Sequence, residues 1–293
     1  MYINHNQMAN SVANNLSGHY NNLATSTQRL SSGLRVNGAA DDAAGLAIRE
    51  LMRADIAALQ QGVRNANDAI SLIQTADGAL GVIDEKLIRM KELAEQAATG
   101  TYDSTQRLMI ESEYQAMASE ITRIANATDF NGIKLLDGSL ADDHDGSELE
   151  AVGELKIHFG TMNDAAEDYY YINIGDCTAS ALGVGNAAAD TALAYTISTQ
   201  AKAQEALEGL QKAIVSKDTI RANLGAMQNR LENTITNLTT QAENLQAAES
   251  RISDVDVATE MTQFVRNQIL TQSAVAMLSQ ANQMPQLAMQ LIR

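Results

Sequence analysis

The amino-acid sequence predicts a mainly α protein of long helices with coiled-coil seams and a small β region in the middle. Two stretches, 52–97 and 207–252, place apolar or small residues alternately four and three positions apart. A mean spacing of 3.5 keeps one narrow stripe on one side of a helix, as coiled-coil packing requires. Each stretch would run for roughly 70 Å. The 293 residues include one Pro, so helix breakers are few. Aromatic residues make up 4% of the chain, and the 45% apolar content is mostly Ala, Leu, Ile, Met and Val, which suits helix seams better than a thick globular core.

The elements follow in order. Val12, Leu16, Leu23, Leu30 and Leu34 form a sparse helical stripe near the start. Asn37-Gly38 and the Asp41-Asp42 pair then read as a joint, with an acidic residue able to cap the next helix. That helix carries Met52, Ile56, Leu59, Val63, Ala66, Ile70 and Ile73, then Leu80, Ile83, Leu87, Met90, Ala94 and Ala97, with Gly78 and Gly81 weakening it. After a turn at Gly100–Asp103, Ile110, Tyr114, Met117, Ile121 and Ile124 repeat the spacing.

The middle changes period. Phe130, Asn131-Gly132 and Ile133–Leu136 read as a turn and a short strand, while Leu155, Ile157, Phe159 and Tyr170, Ile172, Ile174 alternate as two more strands. Between Asp137 and Glu154 lies an acidic loop. Helical pattern returns near Ala192 and runs to Ile252 through Leu207, Leu210, Ile214, Leu224, Leu231, Ile235, Leu238, Ala242 and Leu245. Ser253 and Asp256 resemble a capping box opening the last helix. That helix aligns Leu270, Ala274, Met277, Ala281, Met284, Ala288 and Leu291, with a kink or interruption expected at Pro285. A terminal helix without cover for its stripe is marginal alone, so both ends are expected to order only against other copies.

A net charge of −16, spread along the chain and not gathered in a tail, argues against nucleic acid or an anionic membrane as partner. Cys177 is the only cysteine, so no intrachain disulfide can form. The first twenty residues have neither a cationic nor an apolar segment, so a cleaved secretory signal is not expected. No run reaches the length of a membrane helix.

Leu30–Ile48 (LSSGLRVNGAADDAAGLAI) closely resembles the N-terminal signature of bacterial flagellins. Arg221–Ile235 (RANLGAMQNRLENTI), Ser250–Leu270 (SRISDVDVATEMTQFVRNQIL) and the following SQANQ at Ser279–Gln283 resemble their C-terminal signature. The resemblance implies a long antiparallel helical coiled-coil rod formed by both chain ends. Residues 1–40 and 255–293 would form an inner terminal domain, 41–137 and 196–254 an outer helical rod, and 138–195 a short variable central region with β structure. It further implies a structural filament subunit outside the cell, used for swimming and exported unfolded through the flagellar channel with an uncleaved N-terminus.

Implied partners are further copies of the chain, hook–filament junction and filament cap proteins, a cytoplasmic export chaperone on 255–293, and an animal toll-like receptor. By residue match Arg89, Glu92, Leu93 and Glu113 would carry receptor recognition, with departures from the family's pattern at Ile88 and Lys91. Arg to Lys loses a bidentate fork. Assembly seams are expected at Leu16, Leu23, Leu30, Leu270, Met277, Met284 and Leu291. The alternative is a flagellin-like hook–filament junction adaptor, but the NGAADDAAGLAI run and the SQANQ segment resemble the filament protein more.

No constellation supports an enzyme, a cofactor or a metal. In an EF-hand register Asp142–Gly146 would put Ala141 and Val152 at ligand positions, and neither can coordinate. His5, His19, His144 and His158 lack zinc-site spacing. Gly183-Val184-Gly185 lacks the rest of a phosphate loop, and Cys177 reads as a packing or surface residue.

Overall fold

The computed structural model describes residues 6–141, 153–164, 167–185 and 196–292, with side chains described as far as Met284. Among these residues there are five helices and two small antiparallel hairpins: α1 (Gln7–Ser32), α2 (Ala43–Ala98), α3 (Ser104–Ala127), β1 (Asp129–Phe130), β2 (Ile133–Lys134), β3 (Leu155–His158), β4 (Tyr169–Ile172), α4 (Gln200–Ser253) and α5 (Val257–Ile292). The Asp142–Gly146 tract, the expected helix start near Ala192 and the side chain of Leu291 lie outside the described residues.

The chain divides into two compact units, residues 1–56 with 243–293, and 57–242. Ile172, Ile174, Cys177, Leu182 and Val184 share one core with α2, α3 and α4.

In the larger unit the α2 seam is buried over 59–97, with Leu80, Ile83, Leu87 and Met90 fully inside. Gly78 and Gly81 do not interrupt the helix, because tertiary burial of the flanking residues outweighs the roughly 1 kcal/mol each glycine costs. Three polar contacts join α2 to α4: Lys91 to Gln211, Asp84 to Lys217, and Asp77 to Arg221. Numbers fall on one helix as they rise on the other, so the two run antiparallel. Asp103 caps α3 in a capping box with Gln106. Asn131 (φ 53°) and Gly132 (φ 85°) make the positive-φ turn that joins β1 to β2. Leu135 and Leu136 then drop into the core.

The β3–β4 hairpin is strapped to α2 and α4. Asn65 donates to the His158 carbonyl, and a Cβ on Gly62 would stand 2.0 Å from the Phe159 carbonyl oxygen. Only glycine lets the hairpin backbone come that close. On the other side the Arg230 guanidinium sits 3.7 Å over the Tyr170 ring.

Three local expectations change. Residues 196–199 are not helical: Thr199 caps α4, accepting from Ala203 at its carbonyl and Lys202 at its hydroxyl, while the Ile197 amide donates to Glu111. Asp256, not Ser253, caps α5, accepting from Ala258 and Thr259; Ser253 ends α4 and is buried. Finally, α5 continues as helix past Pro285, so the proline does not interrupt it. The joint at Asp41-Asp42 forms as read, Asp42 accepting from the Gly45 amide.

Candidate functional site

Within the smaller unit α1 lies against α5, with Cα atoms within 8 Å of each other. Asn6 donates to the Ala281 carbonyl, Arg29 faces Glu260 at 3.8 Å, and Leu34 bridges Asp254 in an antiparallel β-bridge. The two chain ends therefore pair antiparallel, and α1 has a partner inside its own chain. The α1 side of the contact is Ala9, Val12, Leu16, His19, Leu23, Ser26 and Leu30, again three and four apart. Leu16, Leu23 and Leu30 are half-buried there.

On the α5 side the stripe read from spacing is split, Ala274 and Ala281 facing α1 and the larger residues not. Glu260, Phe264, Asn267, Thr271, Ala274, Leu278 and Ala281 turn toward α1, while Leu270, Met277 and Met284 sit on a flank and stay exposed, Met277 at 56%. Ile269, Val265, Met261 and Val275 are exposed on the remaining sides. Apolar residues run round the whole of α5, so periodicity cannot choose among seams.

The second surface lies on α2 and α3. Arg89 forks Glu113 at 2.8 and 3.0 Å and reaches Glu92 at 3.0 Å. Those two carboxylates hold its guanidinium above its ordinary pKa, Glu113 contributing most. Ile88, Leu108 and Met109 are exposed nearby in sequence. Leu93 does not belong to this surface. It is 1% exposed and part of the core, on the inward side of α2 with Met90 and Ala94. The spacing alone could have warned of this: Leu93 follows Met90 in the buried row.

Sequence reading missed Lys217. It is 1% exposed and reaches both Asp84 and Asp218. Leu210, Leu224, Leu231, Leu238, Leu245 and Ile252 mark one heptad position along α4, and Lys217 occupies the vacant step in that series. A single polar residue at a seam position fixes helix register at a cost in stability. The gap between Ile214 and Leu224 was the available signal.

Other candidates settle as structure. Cys177 is buried, and burial chiefly pushes its thiol up to about 12, so it is not a nucleophile at neutral pH. Gly183 turns the chain at φ 70°. Among the described residues no group of three His, Cys, Asp or Glu is placed to hold a metal, and no helix is long and apolar enough to cross a membrane.

The fold and its surfaces define a helical structural protein whose ends pair with one another and leave apolar side chains open. Residues 3–141 match the bacterial flagellin N-terminal helical region, and 207–292 the bacterial flagellin C-terminal helical region. The flagellin of Halalkalibacterium halodurans is 42% identical over 293 residues, covering 100% of both chains. The flagellar filament 33 kDa core protein of Treponema phagedenis is 41% identical over 293 residues, again covering 100% of both. A putative flagellar hook-associated protein from Vibrio parahaemolyticus shares the fold at a TM-score of 0.55 and 13% identity, over 73% of this chain and 100% of that one. The chain belongs to the bacterial flagellin family.

Proposed function

We propose that the chain is the main subunit of a flagellar filament outside the cell and that it polymerises through its paired ends. One observation carries this reading: α5 leaves Leu270, Met277, Met284 and several β-branched neighbours exposed after α1 has covered its one seam. A helix apolar on its uncovered sides needs more copies. Repeated heterologous contacts between identical chains generate a helical polymer. Leu16, Leu23, Leu30, Leu270, Met277, Met284 and Leu291 are the assembly residues, the α1 leucines by holding α5 in place and the α5 residues by direct contact. Residues 1–40 and 255–293 form the inner part, 41–137 and 196–254 the outer spoke, and 138–195 its variable edge.

The same reading includes export in the unfolded state with an uncleaved N-terminus, a cytoplasmic chaperone covering 255–293, and junction and cap proteins at the filament ends. The monomer is recognised by an animal toll-like receptor through Arg89, Glu92 and Glu113. The runner-up is a hook–filament junction adaptor, present in few copies. The 13% identity to a hook-associated protein supports only the shared fold.

Sedimentation and negative-stain microscopy of purified chain, with and without short filament seeds, tests the choice. Long filaments growing from seeds, lost when residues 1–40 are removed, are expected. Protein that stays monomeric but caps seed or hook ends in small numbers would make the adaptor the answer.

A further inference from the structure

All 36 acidic residues lie between Asp41 and Glu260, and the ends, 1–40 and 261–293, hold none. Arg29 and Arg266 lie within those acid-free ends, and both line a cavity of about 260 Å³ between α1 and α5. Asn22, Thr25 and Ser26 on one side and Gln263 and Asn267 on the other complete its wall, with no carboxylate among the lining residues. Glu260 and Asp41 approach the terminal nitrogens of Arg29 at 3.8 Å, beyond hydrogen-bond range. The Arg29 Nε is buried with no hydrogen-bond partner, as is one oxygen of Glu260. Those two carboxylates offset Arg29. Arg266 has no ion pair or hydrogen bond of its side chain among the described residues.

We propose that this cavity receives an oxyanion. Two guanidinium groups beside hydroxyl and amide donors match the planar or tetrahedral oxygens of a carboxylate or phosphate. With Arg29 offset by Glu260 and Asp41, the Arg266 guanidinium is the charge left without a counter-ion at the cavity, in a chain whose net charge is −16. The anion therefore comes from solution or from an acidic side chain of a neighbouring copy. The second source rests on the filament reading above; the first does not.

Two measurements separate these cases. Amide exchange over α1 and α5 is followed in the purified chain, in millimolar potassium phosphate against chloride of equal ionic strength. Seeded growth is followed for the wild type, Arg266→Gln and Arg266→Lys under both conditions. If phosphate slows exchange around Arg29 and Arg266 in the wild type but not in Arg266→Gln, the site takes a free oxyanion. If phosphate has no effect, yet Arg266→Gln raises the critical concentration for growth about tenfold and Arg266→Lys largely restores it, the occupant is a neighbour's carboxylate. Should Arg266→Gln match the wild type in both measurements, the proposal is wrong while the filament reading stands. Should the wild type itself fail to grow on seeds, the filament reading falls, and phosphate protection alone decides the site: present, it upholds the site; absent, it overturns it.

Discussion

The α2–α4 seam and the α1–α5 pair use the same heptad spacing to opposite ends. Along α2 and α4 the spacing closes a core: Leu80, Ile83, Leu87 and Met90 share one cluster with Leu210, Leu224 and Leu231, and little apolar surface on that row is left over. Along α1 and α5 the leucines are only half-buried, the α5 face includes Glu260, Asn267 and Thr271, and the more apolar flank points away. One region satisfies itself; the other is unsaturated. Heptad spacing says that a helix will pack, but the residues on its remaining faces say whether one partner is enough.

Breaking the open region should affect assembly alone. Leu270→Glu with Met277→Glu is expected to leave urea unfolding of the monomer within about 0.5 kcal/mol, since both side chains are exposed. Seeded growth should be abolished, because two charges would have to be buried between copies. Filaments of normal yield from this variant would mean that the exposed flank is not an interface.

The closed region should show the reverse. Asp84→Ala leaves the Lys217 ammonium buried with only Asp218 and is expected to cost about 3 kcal/mol in urea denaturation, the low end for a broken buried pair because Asp84 is partly exposed. Lys217→Met should be neutral or stabilising. A large loss from Lys217→Met would show that the ion pair contributes net stability beyond setting register.

Receptor recognition sharpens the contrast on a third surface. Arg89→Ala removes a forked, solvent-exposed contact, so the unfolding midpoint should hold. Signalling by the monomer in receptor-bearing cells should drop about tenfold, the size of a central interface contact. Unchanged signalling would remove the α2–α3 surface from the receptor account.

The smallest effect is local. Hydrogen bonds from the Thr259 hydroxyl, then from the Thr259 and Ala258 amides, hold the Asp256 carboxyl below its ordinary pKa. A lowered folded pKa means the cap is fully present above the unfolded Asp value and is lost as pH falls through the folded one. Amide exchange at Ala258 and Thr259, corrected for intrinsic rate, should quicken below about pH 4, and Asp256→Asn should remove that dependence.

Much of this was legible in sequence. The long seams, the Asn131-Gly132 hairpin, the alternating strands and the cap at Asp42 are local patterns, set by side-chain periodicity and turn chemistry within a few residues. The site was legible in part. Arg89 and Glu113 lie 24 residues apart and were paired only by the family resemblance, while the burial of Leu93 could have been read from its step of three from Met90.

The sequence by itself determined that long helices would form and that they would carry seams. Tertiary structure decided which face of each helix meets which partner. It turned α5 so that Ala274 and Ala281 meet α1 while Met277 does not, placed Lys217 against Asp84, and drew the Phe159 backbone onto Gly62. Periodicity fixes the angular spacing of residues on one helix. The phase at which two helices meet depends on contacts between residues far apart in the chain, which no local pattern contains.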